Sequence, residues 1–304
     1  MNIIRTKDLL QEACYASDDV HLMTDEERSR LQKHLLEMYK EIEAVCVKNN
    51  LTVMLAYGSV LGAIRHGGFI PWDDDLDLFM PRLDYERFIN EYADELPEHL
   101  KVYAPNTKNG TFGRFAKVID TNTKFIPAGV RDTGSPKQGI FVDIFPLDSI
   151  KKAPLRNKVN RIIGMGLMYI GESVGRYKSD TTLFRKLMMQ STIGKINFWM
   201  RQTIGFVFSS FLSYQQWMNL VDRFCANDKM TGYVSDLLGD YTWVPVSLNE
   251  FCPPITGEFE GTTVLLPHQP IKHLERYYGN WQQIPPEEDR WLHFIRYIKF
   301  ELDN

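Results

Sequence analysis

With 304 residues, 44% of them hydrophobic and 24% charged, the chain is long enough for one large domain or two smaller ones and falls among ordinary globular proteins. Its formal net charge of −4 provides no basic field for a nucleic-acid backbone, which argues against a nucleic-acid partner. Cys14, Cys46, Cys225 and Cys252 form no CxxC pair and no zinc-spaced Cys/His cluster, and residues 1–17 lack the apolar run of a signal peptide, so a reducing, cytoplasmic setting is expected.

Thr24-Asp25-Glu26-Glu27 reads as a capping box, in which hydroxyl and carboxylate each satisfy an orphan amide. The helix it opens should reach about Lys48 and bury Leu31, Leu35, Tyr39, Ile42 and Cys46, which recur at steps of three and four. Residues 51–57 read as a strand broken by Gly58-Ser59, 60–65 as a helical turn, 76–80 as a second strand, and 83–96 as a helix closed by Pro97. Strands are predicted at 101–104, 112–119 and 139–145, the last ending at Pro146. Residues 1–150 thus form an α/β unit with its own helix at the start. Residues 151–231 change character, helical and rich in Met, Phe and Ile with few acids, and 232–304 are turn-rich with a last helix predicted over 289–301.

Residues 196–214 have the length of a membrane span, but Arg201, Gln202, Ser209, Ser210 and Ser213 interrupt it, and a charge at bilayer depth costs a few kcal/mol. A buried core helix is the leading expectation. Peripheral contact with a membrane surface through 151–231 is the alternative, supported by Arg156, Lys158, Arg161, Arg185, Lys186, Lys195 and Arg201.

The most informative stretch joins Tyr57-Gly58-Ser59, Arg65-His66-Gly67-Gly68 and Pro71-Trp72-Asp73-Asp74-Asp75-Leu76-Asp77-Leu78. Four carboxylates in five residues repel one another unless a cation compensates. On a strand, alternation puts Asp75 and Asp77 on one face and turns Leu76 and Leu78 into the core. Such a pair is a hard-oxygen site suited to Mg²⁺ or Mn²⁺, which takes its remaining ligands from water and substrate phosphates. Asp143, alone in the apolar run Gly139-Ile140-Phe141-Val142-Asp143-Ile144-Phe145, needs a partner; it is a third metal ligand, an acceptor-activating base, or one half of a salt bridge. Gly58-Ser59, between a strand and a helical turn, can offer amides to a phosphate oxygen.

A Gly-Ser pair followed by an acidic pair and a later carboxylate resembles the nucleotidyltransferase superfamily. The fuller wording resembles the LicD family, relatives of fukutin and fukutin-related protein. Its motifs are matched by Leu61-Gly62-Ala63-Ile64-Arg65-His66-Gly67, Ile70 to Asp77, Lys117-Val118-Ile119-Asp120 with Thr123, Phe141 to Pro146, Phe259-Glu260-Gly261, Tyr277-Tyr278-Gly279-Asn280-Trp281 and Pro285-Pro286. The family usually has Asp where Asn280 stands, so no metal or substrate role carries over to that position.

The resemblance implies an α+β fold: a nucleotidyltransferase-like mixed sheet in residues 1–150, a helical insertion over 151–231 and a C-terminal segment, 232–304, packing back on the core. It implies an enzyme, a phosphotransferase that moves phosphocholine or a related phospho-alcohol from a CDP-linked donor, CDP-choline above all, to a hydroxyl of a glycan or lipid-linked glycan. Such an acceptor belongs to lipopolysaccharide or teichoic-acid biosynthesis, at the inner face of the membrane. Asp75, Asp77 and Asp143 are then the catalytic and metal-binding set, with Mg²⁺ or Mn²⁺ as cofactor. Arg65 and Lys117 would bind phosphate oxygens or neutralise the acidic cluster, Asp73 and Asp74 would tune the metal, and His66 would hydrogen-bond locally. For a choline donor, Trp72 leads Tyr57, Trp243 and Tyr241 as a wall for the quaternary ammonium. The competing enzyme reading is nucleotidyl transfer to a small molecule with release of pyrophosphate. A calcium-binding module fits poorly, because residues 79–83 lack the Gly and terminal Glu of an EF-hand loop.

Overall fold

The computed structural model describes residues 20–301 except 129, 131, 178–184, 187, 230, 240–242, 288–289 and 291–293, so the expectations on residues 1–17, Cys14 and Tyr241 lie outside it. The described chain is an α+β protein. After the two-residue strand β1 (His21–Leu22), helix α1 (Asp25–Lys48) starts at the capping box: the Glu27 amide donates to Thr24 Oγ1 at 3.1 Å and the Thr24 amide to Glu27 Oε2 at 2.8 Å. Its stripe of Leu31, Leu35, Tyr39, Ile42 and Cys46 is fully buried. β2 (Met54–Leu55) follows, then α2 (Tyr57–His66), β3 (Asp77–Pro81) and α3 (Arg82–Arg87), which widens into a π turn over Phe88–Tyr92 and a 3₁₀ turn over Ala93–Glu95. The predicted single helix at 83–96 is thus three short pieces. β4 (Leu100–Tyr103), β5 (Ala116–Asp120), β6 (Lys124–Pro127) and β7 (Phe141–Ser149) complete the first half.

The principal sheet has the order β2-β3-β7-β5-β4, and β8 (Tyr233–Ser235) pairs with the far half of β7 and then with β9 (Val246–Ser247). Among the described residues only β3 and β7 run parallel in it; the other pairs are antiparallel. Strand alternation sorts the side chains between two cores. Leu78, Met80, Val142 and Ile144 join α1 and α2 in one, while Phe79, Phe145 and Leu147 join the helical layer in the other. β7 does not end at Pro146. By that point it has left β5, whose ladder stops at Ala116↔Ile144, and a residue without an N–H is tolerated at such an edge.

The helical layer comprises α4 (Pro154–Tyr177), α5 (Thr192–Ser209) and α6 (Tyr214–Cys225). α6 is tied to the sheet by Arg82, which donates from Nε and Nη2 to both oxygens of Asp148 on β7 (2.7 and 2.9 Å) and from Nη1 to Asp222 on α6 (2.9 Å). α5 is not the buried core helix expected. Gly194, Phe198 and Gly205 are its buried positions, while Ile193, Ile196, Trp199 and Phe206 face outward. No helix among the described residues is long and apolar enough to cross a membrane.

The hairpin β10 (Ile255–Phe259) and β11 (Thr262–Leu266) and helix α7 (Pro270–Tyr278) pack against the first core and α2. The predicted last helix is corrected to a strand: β12 (Phe294–Lys299) lies between β1 and β6 in a separate three-stranded antiparallel sheet. Its Phe294, Ile295, Tyr297 and Ile298 suit a strand as well as a helix, and partners far away in sequence decide the matter.

Candidate active site

Three strands bring the functional groups into one row. In the parallel pair Asp77 stands opposite Asp143, and in the antiparallel pair Lys117 stands opposite Asp143, so all three side chains emerge on one face. The strand entrance is fixed by backbone: Asp143 N donates to Leu76 O at 3.2 Å and Ala56 N to Asp77 O at 2.8 Å. Asp75 is not on the strand, as alternation suggested; it lies in the connecting segment just before β3. Leu76 and Leu78 are fully buried, anchoring both sides of Asp77.

Above this row opens a cleft of 540 Å³, lined by Gly58, Arg65, Trp72, Asp73, Asp75, Asp77, Tyr278 and Trp281 among others. Ser59, Lys117 and Asp143 are absent from its wall. The Ser59 hydroxyl accepts from Asp77 N at 3.0 Å and so holds the first residue of β3, a positioning task rather than the phosphate contact expected. Lys117 pairs with Asp143 and stands 3.7 Å from the Phe141 ring centre, on the side of Asp143 away from Asp77. Arg65 donates to the carbonyl of Trp281 at 2.8 Å and to His66 Nε2 at 2.9 Å, fastening the C-terminal turn to the cleft while feeling the charge of Asp73. Its acceptors already include a carbonyl, so it acts at least as a structural clasp.

The local backbone is built for close approach. No side chain caps α2, whose first residue, Tyr57, takes φ 41°, a left-handed conformation costly outside glycine. The Tyr57 hydroxyl donates to buried Asp236, which also accepts from Gly239 N at 2.7 Å. A Cβ on Gly58 would come within 3.2 Å of the Asp73 carboxylate, so that carboxylate rests against bare backbone. Below α2, Glu260 accepts from Phe69 N at 3.0 Å and donates its own amide to Gly67 O at 2.9 Å, and a Cβ on Gly68 would collide with its carboxylate at 2.0 Å. The Phe259-Glu260-Gly261 and Gly67-Gly68 motifs are therefore two halves of one clamp. Asp120 and Thr123 likewise serve the turn after β5: Asp120 accepts from Asn122 N (2.8 Å) and Thr123 accepts from Ile140 N (2.8 Å).

Electrostatically the row carries surplus negative charge. Burial pushes the Asp77 carboxyl well above the ordinary range, reinforced by Asp75 and Asp143 and only partly offset by Lys117. Asp143 is also raised by burial, against the opposing pull of Lys117 and Arg114. The Tyr278 phenol is raised by burial and by Asp77, Asp73 and Asp75, which puts its hydroxyl over the same charges. This donor set suits a small hard cation. Among the described residues no three His, Cys, Asp or Glu side chains stand ready around a single point, so an ion would rest on Asp75 and Asp77 and complete its shell with water and phosphate oxygens.

Of the proposed aromatic wall, Trp72 and Tyr57 line the cleft. Trp72 has the Arg290 guanidinium 4.4 Å over its ring and His66 edge-on at 6.3 Å. Trp243 is elsewhere, its ring tilted against Phe224 at 5.7 Å in the helical layer, and is not a cage residue. Tyr278 and Trp281 were not singled out as walls. The signal was there, in the Tyr-Tyr-Gly-Asn-Trp run, but which of its rings turns inward depends on the end of α7. Asn280 lines the cleft too and donates to Gln283 Oε1 at 3.1 Å.

The chain is similar in sequence to known proteins. Residues 50–159, which span α2, the acidic segment, β3, β5 and β7, match the family described as "LicD/FKTN/FKRP, nucleotidyltransferase domain". The chain is 28% identical over 272 residues, 86% of its own length and 93% of the relative's, to the lipopolysaccharide cholinephosphotransferase LicD of Haemophilus influenzae. Two uncharacterised Rickettsia proteins, RP689 of R. prowazekii and RT0683 of R. typhi, are each 43% identical over 44 residues, 14% of this chain.

Proposed function

We propose that this chain is a LicD-family enzyme that transfers phosphocholine from a CDP-linked donor to a sugar hydroxyl of a lipopolysaccharide-type glycan, releasing CMP. The observation that carries the reading is the row Asp77–Asp143–Lys117 beside a cleft that joins carboxylates to aromatic rings. A phosphocholine donor presents both a pyrophosphate and a quaternary ammonium. The first asks for cations and amides, the second for ring faces and carboxylates.

In the proposed reaction the donor pyrophosphate lies toward Asp75 and Asp77, with Gly58 at the uncapped start of α2 offering its backbone amide. A divalent cation, Mg²⁺ by the hardness of its donors, supplies charge neutralisation on the pyrophosphate when bound to Asp75 and Asp77. The acceptor oxygen attacks the phosphorus that carries choline, the bond to the CMP oxygen breaks, and CMP leaves with the electron pair. The hydroxyl proton passes to Asp143, whose carboxyl burial holds above its ordinary value against the pull of Lys117. Lys117 holds that carboxylate beside Asp77. Ser59 fixes the start of β3, and Arg65 fixes the turn that carries Trp281. Trp72, Tyr278 and Trp281 wall the choline end.

The test is product analysis with a panel of CDP-alcohols and lipooligosaccharide, with and without Mg²⁺. Metal-dependent CMP release with choline incorporated into the glycan supports the reading. Pyrophosphate release from CTP or ATP, with a nucleotidylated product, would replace it with nucleotidyl transfer.

A further inference from the structure

The helical layer presents to solvent what a folded protein ordinarily hides. On α5, Ile193 (78% exposed), Ile196, Trp199 (56%), Met200, Phe206 (60%) and Val207 point away from the protein. At 3.6 residues per turn these six fall within an arc of about 140°, while Gly194, Phe198 and Gly205 fill the opposite side and face inward. Neighbouring α4 repeats the arrangement with Leu155 (82%), Val159 and Ile162 (72%). The two helices lie side by side, with the Arg201 guanidinium 4.8 Å over the Tyr169 ring and Tyr177 edge-on to Phe206. Exposed apolar helix faces of this kind mark an interaction site.

The charge around it identifies the occupant. Residues 151–213 carry eleven Lys and Arg against Glu172 and Asp180 alone, in a chain whose overall charge is −4, and α5 has no acidic residue. At the start of α4, Lys152, Lys158 and Arg161 line a 320 Å³ cavity whose other wall is Trp243, Val244 and Pro245. Among the described residues no carboxylate pairs with these three cations. Cations beside a cavity with an apolar wall fit a phosphate that has hydrocarbon attached. Apolar helix faces flanked by cations, on helices that cannot span, fit the surface of a bilayer.

We propose that the α4–α5 face docks on a membrane surface rich in anionic phospholipid, with the apolar side chains entering the interface and Lys152, Lys158 and Arg161 engaging lipid phosphate. This inference does not depend on the proposed chemistry. It concerns a different face and is read without turnover. The full chain should co-sediment with phosphatidylcholine vesicles containing phosphatidylglycerol at least about tenfold more tightly than with phosphatidylcholine alone, and raised salt should weaken binding. Trp199→Glu with Phe206→Glu should reduce binding more than tenfold, and Lys158→Glu with Arg161→Glu should remove the preference for phosphatidylglycerol. Because all four side chains are exposed, thermal unfolding should be unchanged; if the Glu pair fails to fold, Trp199→Ser with Phe206→Ser gives the same reading. Unchanged vesicle binding by the apolar variants would overturn the proposal. So would sedimentation as a dimer that these substitutions convert to monomer without vesicle binding, since the face would then belong to a second copy.

Discussion

The row at the mouth of β3 and β7 and the outer face of α4 and α5 break opposite rules of folding. At the first, carboxylates of like sign are withdrawn from water beside a single lysine. At the second, tryptophan, phenylalanine and isoleucine are left in it. Neither is expected from stability alone, since a buried charge raises its own energy and an exposed apolar face gives up the gain of burial. Both make sense if each region is completed by something that is not protein, a divalent cation with a phosphorylated donor at one and a lipid surface at the other. The rest of the molecule obeys the rules, which is what makes the two departures readable.

Between the two regions, Arg82 ties β7 to α6, and breaking that joint should give the largest effect. Replacing Arg82 with Met leaves the buried carboxylates of Asp148 and Asp222 without their cation, which should cost about 3–5 kcal/mol in urea unfolding. A loss below about 1 kcal/mol would mean that the helical layer is held by its apolar contacts alone.

Next comes the acidic row. Asp77→Asn should lower transfer by about 10²–10³-fold, the scale of removing one electrostatic contact to a transition state. Stability should move the other way. Burial and its neighbours raise the folded-state pKa of Asp77, so the ionised form is penalised, and that penalty grows as pH rises above the ordinary carboxyl value. The variant should therefore unfold at a higher temperature than the parent at neutral pH, with the gap closing in acid. An accompanying loss of stability would show that the carboxylate is structural.

A smaller effect lies beneath the cleft. His273 is 1% exposed, has no hydrogen-bond partner for either ring nitrogen among the described residues, and packs 4.7 Å from Tyr277 and 6.1 Å from Tyr57. Burial first, then Arg276, pushes its pKa down to about 3. Below its ordinary value near 6.5 the unfolded chain takes up a proton that the folded chain refuses, so stability falls with falling pH, by about 2 kcal/mol between pH 7 and pH 5. His273→Phe should remove that part of the acid limb in denaturant titrations. The smallest effect belongs to the helical face: Trp199→Ser should change unfolding free energy by less than about 0.5 kcal/mol, whereas a buried tryptophan would cost several times as much.

How much of this could be read from the sequence depended on how local the cause was. The Thr24 capping box and the stripe of α1 are dictated by near neighbours, and they were legible; the alternation expected from Asp75 holds only from Asp77 on, because β3 starts there. The meeting of Asp77, Asp143 and Lys117 was signalled by a lone acid in an apolar run, which needs a partner somewhere. β6 and β12 were not legible, or were misread, because their pairing joins residues 124–127 to 294–299 and nothing local favours it. Tyr57 read as the end of a strand because its left-handed φ, which starts α2 one turn early, leaves no mark on composition. The outer face of α5 was misjudged for a different reason. Periodicity tells which side chains share a face, and it is silent on whether that face meets protein or something beyond it.

The central claim is that Asp75 and Asp77 work with a divalent cation, and Mn²⁺ binding measures it most directly. Electron paramagnetic resonance titration with CDP-choline present should show Mn²⁺ bound stoichiometrically by the parent chain, and at least tenfold more weakly by Asp75→Asn and Asp77→Asn, each still folded. Mn²⁺ affinity unchanged in both variants would contradict the account.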